Sequence, residues 1–408
     1  MFLFIFQLYT ARSIGAEDYG TFIFMQVLTL GFSTYAQSGM QLAFMRFINE
    51  ATVKKIDKFL VTSLTARIVT KRLIKAVLIY FIFCISLLLL QKPISFHLVA
   101  SFLIYLIFQT SIFLLIAWYR AEHKSYVSSL LEQGVISFLS VLIMYVIDLN
   151  FHNLDLIKVC YIFAFSTLTA FTLFSINPIR AVLSFRQDEK GEGLNFEYYK
   201  KVSDNMMIMH ISHYLLVWFG IWVAGYLLTP SDTAFLNAAQ RLSQIIVFIM
   251  VGFNGVLAPR LTLAWASGNM DSLIRLAKNS AWMMFLLNLP VLAILVIFGE
   301  NLLMLFGQEF IEAYPYLLII MFGQFVNLLT GSVSYLLSLT GNEIIVRNVV
   351  LATGAMSIFL NIVLGWRFGL AGISFATSIV FTVNNLTLAY FVYRKLGFVL
   401  IPGLQWMK

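Results

Sequence analysis

The chain has 408 residues, 60% of them apolar and 11% charged, with a mean hydropathy of +0.88 and a formal net charge of +8. A soluble domain carries about 25% charged and 45–50% apolar residues, so a water-soluble globule is excluded. With 39 Phe against 7 Pro and no low-complexity tract, disorder and collagen-like structure are excluded as well, and the membrane class remains.

In chain order, stretches without Asp, Glu, Lys or Arg run over 20–45, 76–91, 93–119, 133–147, 159–179, 205–231, 242–259, 279–299, 313–342, 348–366 and 368–393. A hydrocarbon core of about 30 Å needs roughly 20 apolar residues of helix. The shorter windows reach that length by borrowing flanking residues whose charged ends snorkel. MFLFIFQLYTA (1–11) reads as a further helix that starts too late. It has neither the basic n-region nor the small-residue cleavage site of a secretory signal, so an upstream segment is expected to be missing. The expectation is an all-α polytopic membrane protein of about twelve transmembrane helices, the first truncated.

Assigning Lys and Arg to alternate loops gives 22 on one side and five on the other. By the positive-inside rule the richer side is cytoplasmic, which places both termini there, in the inner cell membrane. The same rule accounts for the net charge without nucleic acid, which is not expected as a partner. Outward loops are short and leave no room for a catalytic domain, whereas the inward segments 46–75 and 180–204 are long. Ile56, Leu60, Leu64 and Ile68 form a stripe at helical spacing that suits a helix lying on an anionic leaflet. A plain basic connector fits equally. FRQDEKGEGLNFEYYKK (185–201) reads as the hinge between two six-helix halves, giving a lobe at 1–180, a cytoplasmic linker at 181–204 and a second lobe at 205–408. Arg46 with Asp57 and Arg260 with Asp271 repeat one spacing in the two halves, as expected of a duplicated transporter fold. Cys84 and Cys160 lie singly in apolar runs and support neither a disulfide framework nor a zinc site. No metal or cofactor is expected.

The order and spacing of several weak motifs resemble one family across essentially the whole chain. They are ARSIGAEDYGTF (11–22), GMQLAFMRF (39–47), NAAQRLSQII (237–246), VLAPRLTLAWASGNMDSLIRL (256–276), FGQEFIEAYPYLLIIMFGQFVN (306–327) and a Gly-Asn turn at 341–342. Together they are similar to the polysaccharide exporters of the multidrug, oligosaccharidyl-lipid and polysaccharide flippase superfamily, in particular the O-antigen or repeat-unit flippases. The resemblance implies two lobes around a central cavity. It implies movement of an undecaprenyl-pyrophosphate-linked oligosaccharide from the cytoplasmic to the outer leaflet, with a polysaccharide polymerase and chain-length machinery as partners. The abbreviated first helix departs from the pattern.

An anionic head cannot cross hydrocarbon unpaired, because stripping an ion of water costs tens of kcal/mol in the Born limit. A cationic, hydrated path is required, and arginine suits it because its fork pairs bidentately with phosphate oxygens and keeps its charge. Arg241 lies nine positions into the interval between Asp232 and Arg260, inside the bilayer if one helix fills that interval and interfacial if the helix starts at Leu242. Its AAQRL resembles a stretch of the related lipid II flippase that contributes a cavity arginine. Arg12 and Arg46 stand at the two ends of the first helical hairpin, where the resemblance implies outer and inner mouths of the cavity. Positive-inside anchoring explains Arg46 as well.

His210 and His213 share a helix face, with Asn205 upstream. They line a cavity, couple transport to protons, or pack as a hydrogen-bonded pair. Among the amides, Gln37 and Asn254 are candidate sugar contacts, along with Gln41, Gln109, Asn288, Gln324, Asn327, Asn361, Asn384 and Asn385. Interhelical hydrogen bonding, worth about 0.6 kcal/mol each, is the competing role. Gly220, Gly225, Gly252, Gly255 and Pro290 allow helices to bend. The alternatives are a multidrug cation exporter, which calls for an intramembrane acid, and a membrane glycosyltransferase or polymerase. No window contains a carboxylate, which favours an anionic cargo and a protein that is not an enzyme.

Overall fold

The computed structural model describes residues 2–37, 39–54, 58–90, 94–151, 154–185 and 196–402. Among these the secondary structure is helical throughout, with no strand. The elements of the first half are α1 (Phe2–Gln37), α2 (Met40–Lys54), α3 (Lys58–Leu89), α4 (Phe96–Ala121), α5 (Ser125–Gln133), α6 (Val135–Phe151), α7 (Leu156–Phe185) and α8 (Phe196–Leu227). Those of the second are α9 (Pro230–Ala266), α10 (Met270–Ile297), α11 (Gly299–Leu303), a 3-10 turn (Gln308–Ala313), α12 (Tyr314–Thr330), α13 (Val333–Leu339) and α14 (Glu343–Leu396).

Among the described residues eight helices are long and apolar enough to cross a membrane, and α5 with α6, bent by 49°, makes nine if the pair is one span. The chain is a multi-pass membrane protein. The windows 348–366 and 368–393 both lie in α14, whose 54 residues would measure about 81 Å if straight, far more than the bilayer core. Gly369, with φ 60° and ψ −139°, turns the helix back, a conformation that is cheap only without a Cβ. A similar break at Gly15 (φ 78°, ψ 171°) divides α1.

The chain forms two compact units, Met1–Ile211 and Ser212–Lys408, and their boundary falls inside α8. Of the expected linker at 181–204, residues 181–185 complete α7 and 196–204 begin α8; 186–195 lie outside the described residues.

In the first unit α4 is the central helix and packs against α1, α2, α5 and α7. Lipid tails are as apolar as the side chains, so close contact rather than escape from water must hold the helices together. Aromatic rings supply it. Phe6 stacks on Phe163 at 5.4 Å, Tyr105 lies 4.8 Å from Phe163, and Phe22 packs 5.7 Å from Phe102, joining α1, α4 and α7. Such pairs are worth about 0.5–1.5 kcal/mol each beyond area burial. A Thr110 hydroxyl donating to Ser33 at 3.0 Å adds a polar tie between α4 and α1.

The long inward segment 46–75 is not a loop. The helix α2 continues to Lys54 and α3 starts at Lys58, so only 55–57, with Ile56 and Asp57, lie outside the described residues. Leu64 and Ile68 do not form a surface-lying stripe. They pack into a core with Phe44, Phe47, Val61, Trp118 and Tyr199. Counting charges ended the helices too early, because basic side chains on the first turns of a long helix reach water while its apolar face stays packed. This core carries a clasp between α2, α3 and the start of α8. Tyr199 is fully buried and its hydroxyl meets Thr65. Arg72 pairs with Asp204 and also donates to Met207 Sδ at 3.4 Å. Gly39, at φ +64°, lets the α1–α2 turn approach so closely that a Cβ there would lie 2.6 Å from Met206 Cβ and 2.7 Å from its carbonyl carbon.

In the second unit α9 packs on α10 and α12, and α12 on α14. The start of α9 is fixed chemically. Pro230 occupies its first turn, the Thr229 hydroxyl accepts from the Asp232 N–H, and the Asp232 carboxylate accepts from the Thr229 N–H at 3.1 Å. Such a reciprocal cap satisfies two of the helix's otherwise orphaned donors.

Candidate functional site

That cap decides where Arg241 lies. It is eleven residues after Pro230 within one 37-residue helix, about 16 Å along the axis from its start, so the helix does not begin at Leu242. Asn237, Gln240 and Ser243 beside it are buried, and Arg241 itself is half-buried. Its Nη1 donates to Gln244 Oε1 at 3.2 Å, and its guanidinium carbon sits 4.8 Å from the centre of the Trp218 ring of α8. A guanidinium over an indole face gains about 0.5–2 kcal/mol, the larger figure when desolvated. The ring and the amide hold the fork in one orientation. From Thr233 to Met270 the sequence has no acidic residue, and none lies between Asn205 and Ser231.

Trp218 belongs to an aromatic band on α8. Trp222 Nε1 donates to the Tyr214 hydroxyl at 2.9 Å, and Phe219 stacks on Trp222 at 6.3 Å. His213 is exposed, and His210 half-buried. The two fall on opposite sides of the unit boundary, as do Asn205 and Arg241.

Asn254 is buried thirteen residues beyond Arg241, about 20 Å along α9. Its Oδ1 accepts from the Ser332 hydroxyl, at the break between α12 and α13, and Ser332 also meets Met284 Sδ at 3.5 Å. Within the second unit Arg241 and Asn254 are therefore separate polar points and not one cluster.

In the first unit Arg12 is exposed on α1, before the Gly15 break. Gln37 is buried at the end of the same helix. Arg46 is exposed on α2, where Nε donates to Glu50 Oε1 at 2.9 Å and Nη2 to the Tyr198 hydroxyl at 3.1 Å. The hydrogen bond that it donates to Glu50 holds the Arg46 guanidinium above its ordinary pKa.

Sequence reasoning missed Trp218, Gln244 and Ser332. The spacing of Gln244, three residues after Arg241 on one helix face, was a usable signal. Trp218 had none, because nothing in one sequence tells which of 7 Trp and 39 Phe meets α9.

The polysaccharide biosynthesis protein family model matches residues 1–265. The chain belongs to this family. The MatE family model matches residues 206–367. Over 204 residues, 48% of this chain, it is 26% identical to the probable low-salt glycan biosynthesis flippase Agl15 of Haloferax volcanii. The matched stretch spans about two fifths, 41%, of that relative's length. Among solved structures, the lipid II flippase MurJ in an inward closed conformation superposes with a TM-score of 0.71 at 13% identity, over 95% of this chain and 85% of that one. An inward-facing multidrug resistance MATE family transporter of the MOP superfamily superposes at 0.67 and 12% identity, over 96% and 94%. At such identities the likeness is one of fold.

Proposed function

We propose that this protein flips an undecaprenyl-pyrophosphate-linked oligosaccharide repeat unit from the cytoplasmic to the outer leaflet by alternating access, for surface polysaccharide assembly. The observation that carries this reading is Arg241, a half-buried guanidinium well inside a long apolar helix, aimed by Trp218 and Gln244. An arginine at a helix centre costs roughly 2.5–3.5 kcal/mol on insertion scales, one nearer the helix start costs less, and arginines within spans are retained where they serve an ion path. A pyrophosphate gives that charge a purpose. The aromatic band of Tyr214, Trp218, Phe219 and Trp222 offers flat faces on which sugar rings stack.

In this proposal Arg241 takes the pyrophosphate, while Arg12, Arg46, His210, His213, Asn205, Gln37 and Asn254 are further cargo contacts along its route. The protein sits in the inner membrane with both termini cytoplasmic, an orientation that its skewed Lys and Arg distribution supports. Its lobes are 1–180 and 205–408, and a polymerase and chain-length machinery consume the exported units. It carries no catalytic residues.

The family relationship and the name of the Haloferax relative support a glycan cargo. The MatE match keeps drug export as the second reading. An organic cation would be repelled by Arg241, so the anionic cargo is favoured.

The test is Arg241→Ala in cells whose own flippase is deleted. Lipid-linked repeat units should accumulate on the inner leaflet while the protein remains in the membrane. Unchanged surface glycan would remove Arg241 from the mechanism, and a drug-resistance phenotype with normal glycan would favour the second reading.

A further inference from the structure

The two legs of α14 on either side of Gly369 run back along each other. Thr353 Oγ1 donates to Asn384 Oδ1 across them at 3.1 Å, so six residues further out on each leg Arg347 is level with Tyr390. Between the legs runs a groove of about 310 Å³, walled by Val349, Ala352 and Met356 on one side and Val383 and Phe391 on the other.

At its open end the chemistry changes. Arg347 donates through Nε and Nη2 to Asn348 Oδ1 at 3.3 and 3.2 Å, and Asn348, itself exposed, lines the groove. On the facing leg Arg394 Nη1 donates to the Tyr390 hydroxyl at 3.0 Å, with its guanidinium carbon 5.8 Å from that ring. Lys395 follows. Glu343 is the one acidic residue in α14, so this end carries three cations against a single anion. Both guanidinium groups are steadied by neutral oxygens, which orients them without cancelling their charge.

An apolar slot in a membrane-spanning helix pair, with two arginines beside one of its ends, has the polarity of a lipid molecule. We propose that this cleft is a resident site for one anionic glycerophospholipid, its acyl chain between the legs and its phosphodiester across Arg347 and Arg394, with the Asn348 amide donating to a phosphate or ester oxygen. The excess of positive charge at the mouth selects an anionic head over a zwitterionic one, whose ammonium group offsets its phosphate. The site lies wholly within the second unit and is independent of Arg241.

The purified full-length chain is delipidated and titrated with phosphatidylglycerol or phosphatidylcholine, reading its melting temperature and the lipid retained in native mass spectra. Phosphatidylglycerol should raise the melting temperature and be retained as a single molecule, and phosphatidylcholine should do neither. The double variant Arg347→Gln with Arg394→Gln should lower phosphatidylglycerol retention by about fivefold or more, with its lipid-free melting temperature unchanged. Ala352→Phe, which fills the slot and leaves the arginines in place, should abolish retention. Equal response to the two lipids, or retention surviving in the double variant, would overturn the assignment. Displacement of phosphatidylglycerol by equimolar undecaprenyl phosphate would also overturn it, giving the groove to the cargo instead.

Discussion

Two arginines, Arg72 and Arg241, sit in different surroundings, one beside a carboxylate and one beside an amide and an indole. In the clasp of the first unit Arg72 is 12% exposed and paired with Asp204, beside Tyr199 and the close approach of Gly39 to Met206. There the positive charge is answered by a carboxylate, and the pair fastens α8 to α3. In the second unit Arg241 is steadied by an amide and an indole, in a stretch of sequence that contains no acid. The first arginine holds two helices together; the second is the residue that the proposed function gives to the cargo's anionic head.

The sharpest way to break the clasp is at its glycine. Gly39→Val would place a β-branched side chain at φ +64° and within 2.6–2.8 Å of Met206 Cβ and carbonyl carbon and of the Met207 nitrogen. Backbone atoms cannot step aside as a flexible side chain can. Strain of about 1–2 kcal/mol from the backbone conformation adds to about 1–3 kcal/mol of overpacking. We expect a loss of about 3 kcal/mol or more, read as a large fall in melting temperature or in folded yield from membranes.

Arg241→Ala should act in the opposite currency, leaving the melting temperature nearly unchanged and lowering transport. Removing a charge-assisted contact to the cargo is worth about 1.5–3 kcal/mol, or roughly tenfold or more in flipping rate measured in proteoliposomes. Arg241→Lys keeps the charge but not the fork, so it should recover part of the loss. Equal defects in stability for the two variants would show that Arg241 belongs with Arg72.

Much of this contrast was hidden in the sequence, for identifiable reasons. The charge-free windows found the apolar helices because lipid excludes ions, and that rule holds wherever a helix ends at the membrane surface. It failed at α2 and α3, where Lys71, Arg72 and Lys75 ride on a helix that begins well before its apolar window at 76–91. There Leu64 and Ile68 belong to a core and not to a surface. The depth of Arg241 was readable once Thr229, Pro230 and Asp232 were taken as a helix start. Its contact with Trp218, the join of Asn254 to Ser332, and the ion pair of Arg72 with Asp204 are distant in sequence, up to 132 positions for the last, and no local spacing encodes them.

The aromatic contact gives a finer cut. Trp218→Leu keeps apolar bulk but removes the π face beneath Arg241, an interaction worth about 1 kcal/mol. Flipping should fall about fivefold while Arg241 stays charged, and Trp218→Phe should retain most of the activity because a ring face remains. A defect as large in the Phe variant as in the Leu variant would mean that indole shape, rather than the cation–π contact, supports the site.

The smallest effect tests the other side of the comparison. Asp204 is 40% exposed and Arg72 only 12%, so the carboxylate keeps much of its water while the guanidinium has lost most of its own. Asp204→Asn removes the negative charge but leaves an amide oxygen that can accept from Arg72. Solvent screening on the exposed side holds the expected cost to about 0.5–1 kcal/mol. That cost should shrink as salt is raised, because ions screen an exposed pair more than a buried one. Transport per folded molecule should be unchanged. If the variant melts normally but flips poorly, the clasp takes part in the transport cycle, and Arg72 moves out of the purely structural class.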